Sequence, residues 1–137
     1  MAAQWASRRL ASAWGSVMKS SALSGRAILV VEEQPLVALQ LEEQFHRVGA
    51  RVLGAGKLNE ALHLAEHPAL AAAVVNVRVG SDTTKRVCSR LEQLGVPFII
   101  HTRYDAAEVL QTWPDAPVVR KPASGKAVVN AVAGLID

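Results

Sequence analysis

Five polar residues stand at places where an otherwise aliphatic chain has no structural need of them: Glu32, Glu33, Asn76, Thr102 and Lys121. Each closes or directly follows a short apolar run. Two carboxylates and an amide carbonyl form an all-oxygen donor set of the kind a hard divalent cation takes. An ammonium and a hydroxyl beside them suit a phosphoryl group. A carboxylate oxygen could capture that group covalently. Asn76, at the end of the central apolar run, supplies an amide instead: its oxygen is a poor nucleophile and its nitrogen lone pair is delocalised.

These residues work together only if the chain brings the ends of the runs side by side. Ala27–Val31 is a continuous apolar run, the mark of a parallel strand covered on both faces. Pro35 then suits a first helical turn, Ala38, Leu41, Phe45 and Val48 recur at helical spacing, and Gly49 is a stop. Residues 51–55 predict a second strand, and 58–66 a second helix closed by Pro68. Residues 71–77 predict the third strand, with Arg78 to Asp82 as a loop. Asp82 or Thr83 caps a third helix that runs to Leu94 and stops at Gly95. Residues 97–102 form a fourth strand, 106–112 a short fourth helix and 117–120 a fifth strand. Lys121-Pro122 follows, then Ser124 as N-cap of a last helix with Val128, Val129, Val132 and Ile136 facing inward.

Five strands alternating with five helices on short connections define an α/β domain with a doubly wound parallel sheet and helices on both faces. In such a sheet the first and third strands are neighbours, and ligands sit beyond the carboxyl ends of the strands at the switch point. Glu32, Glu33 and Asn76 then converge there, flanked by Thr102 and Lys121.

The 137 residues are enough for one domain and too few for two. Residues 27–137 are expected to be that domain. Residues 1–26 hold Arg8, Arg9, Lys19 and Arg26 and no acid, so the net charge of +3 belongs to this extension and the domain itself is at −1. The domain shows no basic stripe, so no nucleic-acid partner is expected. In the extension Ala6, Leu10, Trp14 and Val17 share a helical face opposite Arg8, Ser12, Ser16 and Lys19, with Trp5 breaking the pattern. A membrane-surface or partner-binding helix and a transit peptide both match this composition. A disordered or loosely helical extension is the expectation, because so few apolar groups offset its ordering entropy poorly. No apolar run approaches the roughly 20 residues of a spanning helix, so membrane contact is expected only through residues 1–26. The single cysteine, Cys88, cannot pair within the chain, which points to a reducing, cytoplasmic setting.

The strings 28–35 (ILVVEEQP), 74–77 (VVNV), 98–104 (FIIHTRY) and 118–122 (VVRKP) together resemble the response-regulator receiver (CheY-like) domain of two-component signalling. The resemblance covers residues 27–137 and implies a flavodoxin-like sheet of strand order 2-1-3-4-5. It places Glu32 and Glu33 where receivers bind Mg²⁺, with Asn76 where they carry the phosphoacceptor aspartate. Thr102 falls where a hydroxyl contacts the phosphoryl oxygens, Lys121 where an ammonium pairs with acceptor and phosphate, and Pro122 after a peptide bond that is usually cis. Val118 stands where a switching aromatic residue is common. With an amide at 76 the metal site loses one formal negative charge, so Mg²⁺ is expected to bind more weakly.

The expectation is a degenerate receiver in phosphorelay signalling: a non-enzymatic interaction module that meets a histidine kinase, a phosphotransfer protein or another receiver. Two alternatives stand beside it. One is a receiver still phosphorylated at an unusual residue. The other is a flavodoxin-like domain that binds a nucleotide or small anion, although no glycine-rich loop follows the first strand and Glu32-Glu33 would repel an anion there. Plainer roles are also expected for single residues. Lys121 forms an ion pair with Glu33, Asn76 hydrogen-bonds Lys121 or backbone, and Cys88 is a core thiol. His63 and His67 lie four apart on one helix without a third ligand near them.

Overall fold

Every residue of Ala27–Val31 is buried, and the run forms an interior strand of a five-stranded parallel sheet. The computed structural model describes residues 21–103, 111–113 and 115–136. Along the chain come β1 (Ala27–Val31), α1 (Pro35–Arg47), β2 (Arg51–Ala55), α2 (Leu58–Leu64), β3 (Leu70–Val75), β4 (Arg78–Val79), β5 (Asp82–Thr83), α3 (Lys85–Gln93), β6 (Phe98–Thr102), β7 (Val118–Arg120) and α4 (Gly125–Ala133). The large sheet has the order β2-β1-β3-β6-β7, which is the expected 2-1-3-4-5.

Alternation along the strands builds two cores. Leu29, Val31, Ala73, Val75, Phe98 and Ile100 point to one face and pack with Ala61 of α2 and Val87, Cys88 and Leu91 of α3. Ile28, Val30, Ala72, Val74 and Ile99 point to the other and pack with Leu41 and Phe45 of α1 and Val128, Val129 and Val132 of α4. This period of two within unbroken apolar runs is what two covered faces require. Leu23, in a short 3-10 turn ahead of β1, is fully buried in the second core. The amide of Gly25 donates to Gly49 O (2.8 Å), which fastens this lead-in to the end of α1. Gly49 sits there at φ +82, a conformation that a side chain resists.

Ser124 caps α4 as expected, its Oγ accepting from the Ala127 amide (3.1 Å). Other boundaries differ from the sequence reading. The third strand ends at Val75, so Asn76 is the first residue beyond it. The stretch from Arg78 is no loop: β4 and β5 pair antiparallel through a tight turn at Gly80, whose φ of +64 suits such a turn. Thr84, not Asp82 or Thr83, precedes α3, and its hydroxyl is committed elsewhere. Of the fourth helix expected at 106–112, only Gln111 and Thr112 lie within the described residues, and both are helical.

Candidate functional site

The ladder brings the strand ends into one row. Val31 is level with Val75, Val75 with Ile100, and Thr102 with Arg120. Backbone bonds carry the pairing one residue further: Asn76 N donates to Val31 O (3.1 Å), Glu32 N to Ala55 O (2.9 Å) and Lys121 N to Thr102 O (2.7 Å). Glu32 and Asn76 are thus pinned at the same level, just past β1 and β3, and Lys121, just past β7, stands two residues further along.

Glu32 is buried, with its side chain 1% exposed, and its carboxylate is held at both oxygens. Oε1 accepts from Lys121 Nζ (2.5 Å) and Oε2 from the Gln34 amide (3.0 Å). β1 and β7 stand three strand spacings apart, about 14 Å, so the two long side chains reach toward each other across the ends of β3 and β6. The ion pair therefore spans the crevice in which Asn76 lies. This corrects the expected Lys121–Glu33 pair. A buried carboxylate needs a counter-charge; Glu32 is buried and Glu33 is exposed to water, so the ammonium of Lys121 goes to Glu32.

Glu33 turns outward, and its Oε2 accepts from the amide of Gly80 at the tip of the β4–β5 hairpin (2.7 Å). Asn76, 9% exposed, holds its Oδ1 against the Val77 amide (2.9 Å). Thr84 was not singled out in the sequence. Its buried hydroxyl donates to Asn76 O (2.6 Å), with Val77 O also in reach (3.0 Å), and so fixes the start of α3 to the end of β3. Only the spacing from Asn76, eight residues, could have hinted at it. Thr102 is fully buried at the end of β6, and Arg103 beside it is exposed. The Lys121–Pro122 peptide is cis. Val118 packs, half-buried, against the first core.

A magnesium ion asks for oxygens converging at about 2.0–2.1 Å in octahedral array. Here Glu32, Glu33 and Asn76 each commit an oxygen to a different backbone N–H, and the Lys121 ammonium takes the cation's place at Glu32. As arranged, the donor set does not fit Mg²⁺ without displacing Lys121. Among the described residues no group of three His, Cys, Asp or Glu side chains is placed to hold a metal ion. His67 Nδ1 instead accepts from the Ala69 amide (3.1 Å). Cys88 is buried, and burial pushes its thiol up to about 12, so it is a core group and no nucleophile.

His101 is the unexpected member. It lies on β6 between Ile100 and Thr102 and is 3% exposed, and neither ring nitrogen has a hydrogen-bond partner among the described residues. Burial lowers its pKa to about 4; the Lys121 ammonium adds to the shift and the Glu32 carboxylate opposes it.

A five-stranded parallel sheet of this order with helices on both faces is a doubly wound, flavodoxin-like fold. No protein-family model matches the chain, and no curated protein sequence matches it. Solved structures do. A response regulator receiver protein from Sinorhizobium medicae aligns with TM-score 0.73 at 18% identity over 82% of this chain and 95% of that one. The non-phosphorylated HemR receiver domain from Leptospira biflexa gives TM-score 0.73 at 22% identity, covering 82% and 94%. The response regulator PhyR from Brucella abortus gives 0.70 at 19% identity over 87% of this chain but 51% of PhyR, so the chain spans about half of that protein. The chain has the receiver fold. No helix among the described residues is long and apolar enough to cross a membrane.

Proposed function

We propose that the protein is a receiver-like signalling module that acts by protein contact and does not accept a phosphoryl group at residue 76. One observation carries this: Asn76 occupies the end of the central strand, its amide oxygen held by backbone, while Lys121 is bound to Glu32. An amide cannot form the acyl phosphate, and the ammonium that would greet a phosphate is already neutralised. The module is non-enzymatic, its partner a histidine kinase, a phosphotransfer protein or another receiver, and its setting the cytoplasm. Mg²⁺ binds weakly, because the Glu32–Lys121 pair must open first. Residues 27–137 with the Leu23 turn form the signalling body. Without a covalent switch, output follows the amount of protein or of partner.

The test is incubation with acetyl phosphate and Mg²⁺, read by intact mass, for the native chain and Asn76→Asp. A gain of about 80 Da, one phosphoryl group, is expected on the variant alone. The same gain on the native chain would refute the reading and favour a receiver phosphorylated at another residue. Amide shifts in a parallel Mg²⁺ titration report whether Glu32 and Glu33 hold the ion.

A further inference from the structure

The two edges of the large sheet are built differently. β7 is three residues long, contains Arg120 and lies between Pro117 and Pro122. Charge, proline and shortness are what keep an edge strand from pairing with another chain. β2 has five residues and no proline, and its one charge, Arg51, stands at its start. Among the described residues it pairs with β1 alone. In that ladder the Arg51 amide donates to Arg26 O, and Ala55 O accepts from the Glu32 amide. Parallel pairing alternates along a strand, so Arg51, Leu53 and Ala55 bond to β1 while Val52 and Gly54 turn their N–H and C=O groups outward. Gly54 is exposed, and a Cβ there would meet no atom of the described residues within 4 Å.

We infer that β2 is the contact of a symmetric dimer, its occupant being β2 of a second copy laid antiparallel, so that the two sheets run on as one. The hydrogen-bond pattern is self-complementary. A dyad at Leu53 sets Val52 opposite Gly54 of the second copy, each with both backbone groups turned outward, as a hydrogen-bonded pair requires. The dyad generates that pair twice. Leu53 then meets Leu53 of the second copy at about 4.5 Å between Cα atoms. Charge selects the same register. Arg51 shares the sheet face of Leu53 and Ala55, which is the face covered by α2 and α3. The bond from Arg90 to Glu66 shows which flank of α2 is turned to α3. Glu60 and Leu64, four residues apart, lie on the other flank, above the free edge. Glu60 stands in the first turn of α2, next to the carboxyl end of β2. Antiparallel pairing brings Arg51 of one copy opposite Ala55 of the other, and so beside its Glu60, at both ends of the contact. Arg51 and Glu60 are exposed, and neither has an ion-pair partner among the described residues. In the dimer the two crevices open in opposite directions, and each stays free for a partner. This inference rests on the fold and does not depend on the chemistry at Asn76.

Sedimentation equilibrium of the full chain, over a concentration series up to roughly 100 μM where a weak dimer is populated, is expected to show monomer and dimer in exchange. Arg51→Glu sets two acids together at each end of the contact and should weaken the dimer about tenfold, because every loss counts twice. Glu60→Arg should do the same. Combining Arg51→Glu with Glu60→Arg should return the affinity to within about threefold of the native chain. Leu53→Cys reads the register separately. In a glutathione redox buffer it should link two copies across the dyad at least roughly tenfold faster than Glu43→Cys, Glu43 being exposed beside the groove between α1 and α4. The native Cys88 is buried and does not compete. A chain that stays monomeric throughout would overturn the inference, whatever its response to acetyl phosphate. So would a dimer indifferent to the single substitutions, or one that the double swap fails to restore. Linkage of Leu53→Cys no faster than that of Glu43→Cys would overturn it too, because the copies would then meet elsewhere.

Discussion

Replacing His101 by leucine should stabilise this protein and flatten its response to acid. A neutral imidazole presents one donor and one acceptor. Both ring nitrogens of His101 are buried without a hydrogen-bond partner among the described residues. Each unsatisfied group costs about 1–3 kcal/mol; leucine has similar volume and no polar atom, so removing both is expected to gain about 2–6 kcal/mol at pH 7. The pH dependence is sharper. The native imidazole resists protonation down to about 4, from an ordinary 6.5, because it is buried and faces the Lys121 ammonium, with Glu32 as partial compensation. The unfolded chain takes up that proton below about pH 6.5. Between the two values the unfolded state binds more protons, so native stability falls as pH falls through this window, by about 2 kcal/mol from pH 7 to pH 5. His101→Leu removes that share. Urea unfolding followed by far-ultraviolet circular dichroism at pH 7, 6 and 5 measures both effects. If the variant loses as much stability as the native chain between pH 7 and 5, His101 is not the buried neutral group argued for. If it is less stable at pH 7, the ring nitrogens are satisfied.

Two further substitutions probe the packing around the site. Lys121→Met strands the Glu32 carboxylate, whose side chain is 1% exposed, and should cost about 3–5 kcal/mol in urea titration; adding Glu32→Gln should restore most of it. Gly125→Ala sets a methyl 2.5 Å from Gln44 Cγ, and the crowding should lower stability by about 1–3 kcal/mol; adding Gln44→Ala should recover the loss, because the obstructing group is a side chain.

Sheet and strand ends were legible because their signals are local. The run 27–31 announces a doubly covered strand, and it is buried throughout. Ser124 announces a cap, and it caps. The hairpin was illegible for the opposite reason: strands of two residues carry no period, and their pairing depends on a turn at Gly80 and on Glu33, 47 residues earlier. Lys121 was placed correctly at a strand end but assigned the wrong acid. Glu32 and Glu33 are adjacent in sequence, and only their different burial separates them. His101 read as an ordinary strand residue, since the isolation of its nitrogens is a property of the packing around it.

The bond between Lys121 and Glu32 joins residues 89 apart and makes the crevice self-neutralising. One ammonium answers one carboxylate, and the books of charge are closed with an amide at 76. A carboxylate introduced there would place two buried acids in competition for a single cation. The Asn76→Asp variant would then gain a nucleophile and a vacancy for positive charge together, and the simplest way to fill that vacancy is a divalent ion from solution. On the proposed reading the amide at 76 and weak binding of Mg²⁺ are one property, and Asn76→Asp is expected to change both together.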